Sequence, residues 1–178
     1  MHQKIILLLL ISFAPIIVSA QVIYLNNPSF EGTPSDASVP IGWIPCNNRT
    51  TPDILPGPWG VINEPSDGNT FMGLITREDG TYESVAQRLK EPLKANDCYQ
   101  FSLEVATSDI YADYNVPLKL RIWVGETRCK KEQLVLETKL IEDTEWEKYV
   151  VSFTAKKQVN YIILEAFIKD GSFSHRGN

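Results

Sequence analysis

A nine-residue run from Pro117 to Gly125 places the strongest constraint on how this 178-residue chain can fold. Apolar side chains occupy every second position of the run, at Leu118, Leu120, Ile122 and Val124. The positions between them are Lys119, Arg121 and Trp123. Because successive side chains of a β-strand point to opposite faces, this alternation predicts a half-buried strand. One face would meet a core, and the other would present two cations and an indole ring.

Similar patterns recur along the chain, and none has a sustained helical period between Gln21 and Asn178. The predicted strands are 70–75, 82–89, 99–105, 118–124, 132–141, 146–155 and 161–168. Asp79-Gly80 predicts a hairpin turn between the first two of these. The segment 40–65 holds six of the eleven prolines and should form loops without a long central strand. The sequence therefore predicts an all-β, two-sheet antiparallel β-sandwich or jelly roll.

The ends of the chain predict an exported fragment. Residues 1–20 have one cation, a short apolar run and a small-residue exit, which is typical of a signal peptide; the alternative is a retained membrane anchor. Residues 21–178 would then form one β-sandwich domain, secreted or held in the cell envelope. Without Lys4 the formal net charge falls from −5 to about −6, which argues against nucleic-acid binding. The last residues, 170–178, look like a loop entering another strand, so we expect a longer parent chain.

Three cysteines, Cys46, Cys98 and Cys129, remain after the predicted signal peptide. Disulfides persist in exported proteins, but three cysteines cannot all pair within one chain. Cys98 and Cys129 both flank predicted strands at turn-rich points, and we predict a disulfide between them. Cys46 would be free or paired outside the chain.

Several segments in this order resemble the galactose-binding-like β-sandwich domains, jelly rolls that include many carbohydrate-binding modules. The segments are 27–31, 42–43, 82–89, 98–102, 120–123 and 146–153. The version they are most similar to occurs in secreted and outer-membrane proteins of gliding Gram-negative bacteria. The resemblance implies a final strand after Gly177-Asn178. It also implies a structural calcium ion held by Glu31 and a carboxylate on that strand.

Catalytic residue types are scarce in the sequence. The only histidine after the predicted signal peptide is His175, so the sequence lacks the residues that a nucleophilic triad or a zinc site would need. Glu104 and Glu165 are the one carboxylate pair that could serve a glycosidase. Their simpler interpretation is two exposed side chains on an outer sheet face. We therefore predict that the chain is not an enzyme.

Flat aromatic rings beside planar polar groups are what sugar binding requires, and two places offer them. One is Arg121 with Trp123, near Gln100 and Glu104; the alternative is that Trp123 is covered by the proline-rich segment. The other is Trp59 with Tyr111 and Tyr114; the alternative is that Trp59 anchors its own loop. The leading hypothesis is a non-catalytic carbohydrate-binding module, and the second is a structural or adhesion domain. The expected partner is a carbohydrate or a neighbouring envelope protein.

Overall fold

The structure is a computed structural model that describes residues 23–168 and 176–178. These residues contain nine strands and one 3₁₀ turn. The strands are β1 (Ile44–Pro45), β2 (Asp53–Leu55), β3 (Phe71–Gly73), β4 (Ser84–Leu93), β5 (Cys98–Val105), β6 (Lys119–Gly125), β7 (Gln133–Glu137), β8 (Glu147–Thr154) and β9 (Val159–Phe167). The 3₁₀ turn is Pro58–Gly60.

Five strands form one antiparallel sheet in the order β1-β4-β9-β6-β7, while β5 pairs with β8 and β2 with β3. Strand β9 lies in the middle of the large sheet and is buried on both faces, which accounts for its continuous apolar run. The main core lies against the inner face of this sheet and includes Ile122, Leu164 and Val105. The predicted all-β sandwich is confirmed.

The alternation that predicted β6 is confirmed by burial. Leu118, Leu120, Ile122 and Val124 are all buried, and the residues between them are half-buried. Strands β5 and β8 alternate in the same way along their whole paired length. Their inner faces add rings such as Phe101 and Tyr149 to the core.

The proline-rich segment contains only the two short strands β1 and β2, as its prolines predict. The hairpin prediction is wrong beyond the turn itself. Strand β3 pairs with β2, and β4 pairs with β1 and β9, so the two predicted partners belong to different sheets. A single bridge between Thr76 and Tyr82 closes the turn.

The disulfide links Cys46 to Cys129, with 5.3 Å between the Cα atoms, and Cys98 is free and exposed. The predicted Cys98–Cys129 pair is wrong because Cys98 begins β5, outside the large sheet. Cys46 follows β1 at one edge of that sheet, and Cys129 lies in the connection from β6 to β7 at the other edge. Arg128 in the same connection donates to the Pro45 carbonyl at 3.3 Å. The disulfide therefore draws this connection across the outer face of the large sheet.

The predicted signal peptide and His175 lie outside the described residues. Within the described ranges, no helix has the length and apolar character needed to cross a membrane. Gly177 makes bridges to Thr76 and Val116, and Asn178 bonds to the backbone of Ser108. The division of the chain at residue 21 stays a prediction.

Candidate active site

A cleft with two lobes opens between the inner face of the large sheet and the segments around β3 and β5. The volumes of the lobes are about 110 Å³ and 290 Å³. The residues that line both lobes are Phe30, Phe71, Met72, Leu103, Glu104, Trp146 and Leu164. A mostly apolar cleft with few polar groups is the usual form of a small-molecule site.

Aromatic rings wall the cleft and are held in fixed positions. Phe71 and Trp146 meet edge to face with 5.2 Å between ring centroids, and Phe30 packs on Trp43 at 4.9 Å. The Trp146 indole N–H donates to the backbone carbonyl of Glu64 at 2.8 Å. Such contacts leave the rings little freedom, so the walls are formed before a ligand enters.

Two acidic residues contribute to the lining of the cleft. Glu104 lies on β5 between Leu103 and Val105, whose side chains pack into the core, so its own exposed side chain points to the outer face of the strand, opposite Lys148 on β8. Asp67 lines the larger lobe from a loop, and its carboxylate accepts a hydrogen bond from the hydroxyl of Ser29, which lines the same lobe. Asp67 is therefore the acid whose carboxylate lies at the cleft.

The predicted site at Arg121 and Trp123 is occupied by the protein's own side chains. The Trp123 indole N–H donates to Glu165 at 2.5 Å. Arg121 pairs with Glu137 at 2.9 Å and lies over the ring of Phe167. The expected neighbours Gln100 and Glu104 are on β5, in a different sheet. The structure does not bring Arg121 and Trp123 to the cleft.

The other predicted group does come together. Trp59, Tyr111 and Tyr114 line a separate cavity of about 350 Å³, and Tyr111 also lines the smaller lobe of the cleft. Trp59 is 50% exposed, whereas Tyr111 is buried and donates its hydroxyl proton to Asp53. Burial first, and then the charge of Asp53, raise the pKa of Tyr111 well above its usual value.

Glu31 holds a loop rather than a recognisable metal site. Its carboxylate accepts from the backbone N–H of Asn69 at 2.6 Å, from the Asn69 side chain at 3.2 Å and from the Thr70 N–H at 3.2 Å. These bonds, led by the backbone N–H of Asn69, lower the pKa of Glu31. No group of three or more potential metal-ligating side chains occurs within residues 23–168 and 176–178. The Glu31 carboxylate is thus bonded to the loop at Asn69 and Thr70, and calcium stays a prediction.

Comparison with known proteins decides the family. The family model for the HpiC1 cyclase matches residues 21–165. The chain belongs to the HpiC1 cyclase family. A cyclase from Fischerella sp. TAU, solved in complex with 4-(1H-indol-3-yl)butan-2-one, shares the fold with a TM-score of 0.56 and 18% identity. The match covers 82% of this chain and 88% of that one. No curated protein matches significantly.

Membership of the HpiC1 cyclase family overturns the functional predictions made from the sequence. The resemblance to carbohydrate-binding modules, the non-catalytic assignment and the prediction that the chain is not an enzyme are wrong. The predicted partners, a carbohydrate or an envelope protein, depended on that assignment and are wrong with it. The cause is that a sandwich with aromatic side chains suits both functions, and the pattern does not tell which rings face a cavity.

The predicted pair of carboxylates does not form a site. Glu104 is exposed on the outer face of β5, whereas Glu165 is 1% exposed on the large sheet and is bonded to Trp123 and Lys131. The rings of Phe30, Phe71 and Trp146 were not predicted to line a site. Nothing in the local pattern distinguishes these rings from core residues, because they face a gap between layers that only the fold creates.

Proposed function

We propose that the chain is an acid-catalysed cyclase that closes a ring in an apolar small molecule bearing an aromatic group. The observation that carries the proposal is the placement of Asp67 on the lobe that is walled by Phe30, Phe71 and Trp146. Membership of the HpiC1 cyclase family supports ring closure as the reaction class. The indole-bearing ligand of the Fischerella cyclase supports an aromatic substrate.

In the proposed reaction, the Asp67 carboxyl group donates a proton to a carbon–carbon double bond of the substrate. The resulting carbocation lies beside Phe71 and Trp146, whose electron-rich π-systems stabilise positive charge. A carbon of the substrate's aromatic group attacks the cation and closes the ring. Loss of a proton from that group to Asp67 restores aromaticity, so the overall reaction is an isomerisation. The apolar walls keep water from trapping the cation.

The binding step is tested by calorimetric titration of the chain with 4-(1H-indol-3-yl)butan-2-one. We expect Trp146→Ala to weaken binding by roughly ten-fold, because a buried aromatic contact contributes one to two kcal/mol. The matched control is Trp123→Phe on the outer face, which should leave the affinity unchanged. Equal losses in both variants would contradict the cleft as the binding site.

The chemical step is tested by following product formation from indole-bearing alkenes by mass spectrometry. We expect Asp67→Asn to bind the substrate normally but to lower kcat by roughly 10²- to 10⁴-fold, the usual contribution of a positioned general acid. The matched control is Glu104→Gln, which removes an exposed carboxylate on the outer face of β5 and should have no effect. A loss in Glu104→Gln instead of Asp67→Asn would contradict the assignment of the acid.

Calcium stays a prediction for this chain. Glu31 supplies one carboxylate, and a calcium ion takes about six to eight oxygen ligands, which can include backbone carbonyls and water. Thermal unfolding with calcium and with EGTA tests the point. Stabilisation that disappears in Glu31→Gln would support a site, and identical melting curves would contradict it.

We further propose that the protein is exported to the cell envelope or beyond. The predicted signal peptide and the Cys46–Cys129 disulfide support export, because disulfides persist in oxidising compartments. N-terminal sequencing of the protein from the producing cell should begin at Gln21. An intact Met1 would contradict the proposal.

A further inference from the structure

The cavity beside Trp59 has features that the proposed cyclase reaction does not use. With a volume of about 350 Å³, it is lined by Trp59, Tyr114, Asp53 and Arg77. Tyr111 forms a wall between this cavity and the cleft. We call it the Trp59 cavity.

Backbone conformations around the Trp59 cavity are unusual for side-chain-bearing residues. Ala37, Trp59 and Ala112 all line it, and their φ angles are 47°, 57° and 45°. L-residues rarely adopt this left-handed region, and such conformations gather at ligand-binding sites, where surrounding contacts hold them in place. Three such residues in the lining of one cavity indicate that the surrounding contacts maintain its shape against the backbone preferences of these residues.

The floor of the Trp59 cavity carries a negative charge without a cationic partner. Asp53 is 5% exposed, and its carboxylate accepts from the Ala37 N–H at 2.7 Å and from the Tyr111 hydroxyl, both neutral donors. No cationic side chain pairs with Asp53 in the described ranges.

Two arginines of the described ranges lie near the cavity, and both are paired with carboxylates. Arg77 pairs with the buried Glu83 at 2.7 Å. Arg176, which lies 5.7 Å from the centre of the Tyr114 ring, pairs with Glu78 at 3.3 Å. Among the described residues, the Asp53 carboxylate is therefore the charge of the cavity lining that has no oppositely charged partner.

We propose that the Trp59 cavity binds a small organic ammonium ion. A positive charge at the floor would neutralise Asp53 in a poorly solvated place, where such attraction is strong. The half-exposed Trp59 ring, with Tyr114 beside it, offers the π-faces that favour organic cations. This site is distinct from the cleft and does not depend on the cyclase proposal.

The probe is the 2-phenylethylammonium ion, titrated calorimetrically into the full chain. Neutral 2-phenylethanol and the phenylacetate anion have nearly the same shape and serve as charge controls. We expect the cation to bind, the alcohol to bind more weakly and the anion not to bind. Equal affinities for the three compounds, or no binding of the cation at millimolar concentration, would overturn the proposal.

Variants locate the site. We expect Trp59→Ala to weaken binding of the cation by roughly five-fold or more, the size of a favourable cation–π contact. The matched control is Ile62→Ala, a neighbouring side chain that is 76% exposed and should not affect binding. Asp53→Asn should weaken binding of the cation but not of 2-phenylethanol, with circular dichroism as the check on folding. An unchanged affinity in Trp59→Ala, or competition between the probe and 4-(1H-indol-3-yl)butan-2-one, would overturn the assignment.

Discussion

Two tryptophans on opposite sides of the large sheet show what separates a packing aromatic from a candidate binding aromatic. On the outer face, the indole of Trp123 bonds to Glu165, and Glu165 bonds to Lys131. In the cleft, the indole N–H of Trp146 bonds to a backbone carbonyl, and its ring lines the same lobe as Asp67. Buried polar groups are normally satisfied by the protein itself. Trp123 is thus part of a closed network of side chains, whereas the ring of Trp146 lines a cleft that a ligand can enter.

The largest expected effect comes from removing the disulfide that holds the β6–β7 connection over the outer face. This disulfide joins residues 83 positions apart. The Cys46→Ser, Cys129→Ser double variant should therefore lose about 3–5 kcal/mol of unfolding free energy. Urea unfolding measures this loss. Cys98→Ser, which removes the free cysteine, should stay within about 0.5 kcal/mol of the parent. Comparable losses in the two proteins would contradict the assigned pairing.

The next largest effect is the difference in unfolding free energy between substitutions of Glu165 and Glu104. Glu165→Gln leaves the half-buried Lys131 without its ion-pair partner, and we expect a loss of about 2 kcal/mol of unfolding free energy. Glu104→Gln should change the unfolding free energy by less than about 0.5 kcal/mol, because no contact is lost. The same urea experiment compares them. If Glu104→Gln proved as destabilising as Glu165→Gln, the contrast between a buried, paired carboxylate and an exposed, unpaired one would fail.

The smallest effect is a pH dependence at the end of the covering connection. Hydrogen bonds from Lys130 and then Lys157 lower the pKa of Glu132 from 4.5 to about 2. Because the folded-state pKa is the lower one, the stabilisation is fully present above pH 4.5 and is lost as the pH falls towards 2. Glu132→Gln should therefore show a shallower loss of melting temperature between these pH values. Glu145→Gln should show the same dependence of melting temperature on pH as the unchanged protein. The same dependence in Glu132→Gln would contradict a contribution of this ion-pair group to stability.

The strands could be predicted from the sequence because the alternation of apolar and polar residues is a local pattern. The runs at β5, β6 and β8 each have one apolar side, and the continuous run at β9 predicted its central place. What the sequence could not predict depends on which elements meet. The Cys46–Cys129 pair joins opposite edges of a sheet, and sequence spacing contains no information about that contact.

The candidate site was only partly predictable for the same reason. The sequence grouped Trp59, Tyr111 and Tyr114 correctly, because they lie in two loops at one end of the sandwich. The carbohydrate ligand predicted for them was wrong. Trp146 and Phe71 looked like core residues, since a cleft between layers is lined by the same residue types as a packed core. Asp67 lies in a loop without a strand pattern, so its place beside the cleft is visible only in the folded chain.

The cross-link over the outer face lies apart from the cleft. Cys46, Cys129 and Glu165 secure the large sheet from one side, while the rings of the cleft are supplied by β3, by β5 and by the residue before β8. A substitution of one of these rings therefore leaves the covalent link and the Glu165 bonds in place, so the shape of the cleft can change while the sheet behind it stays fixed.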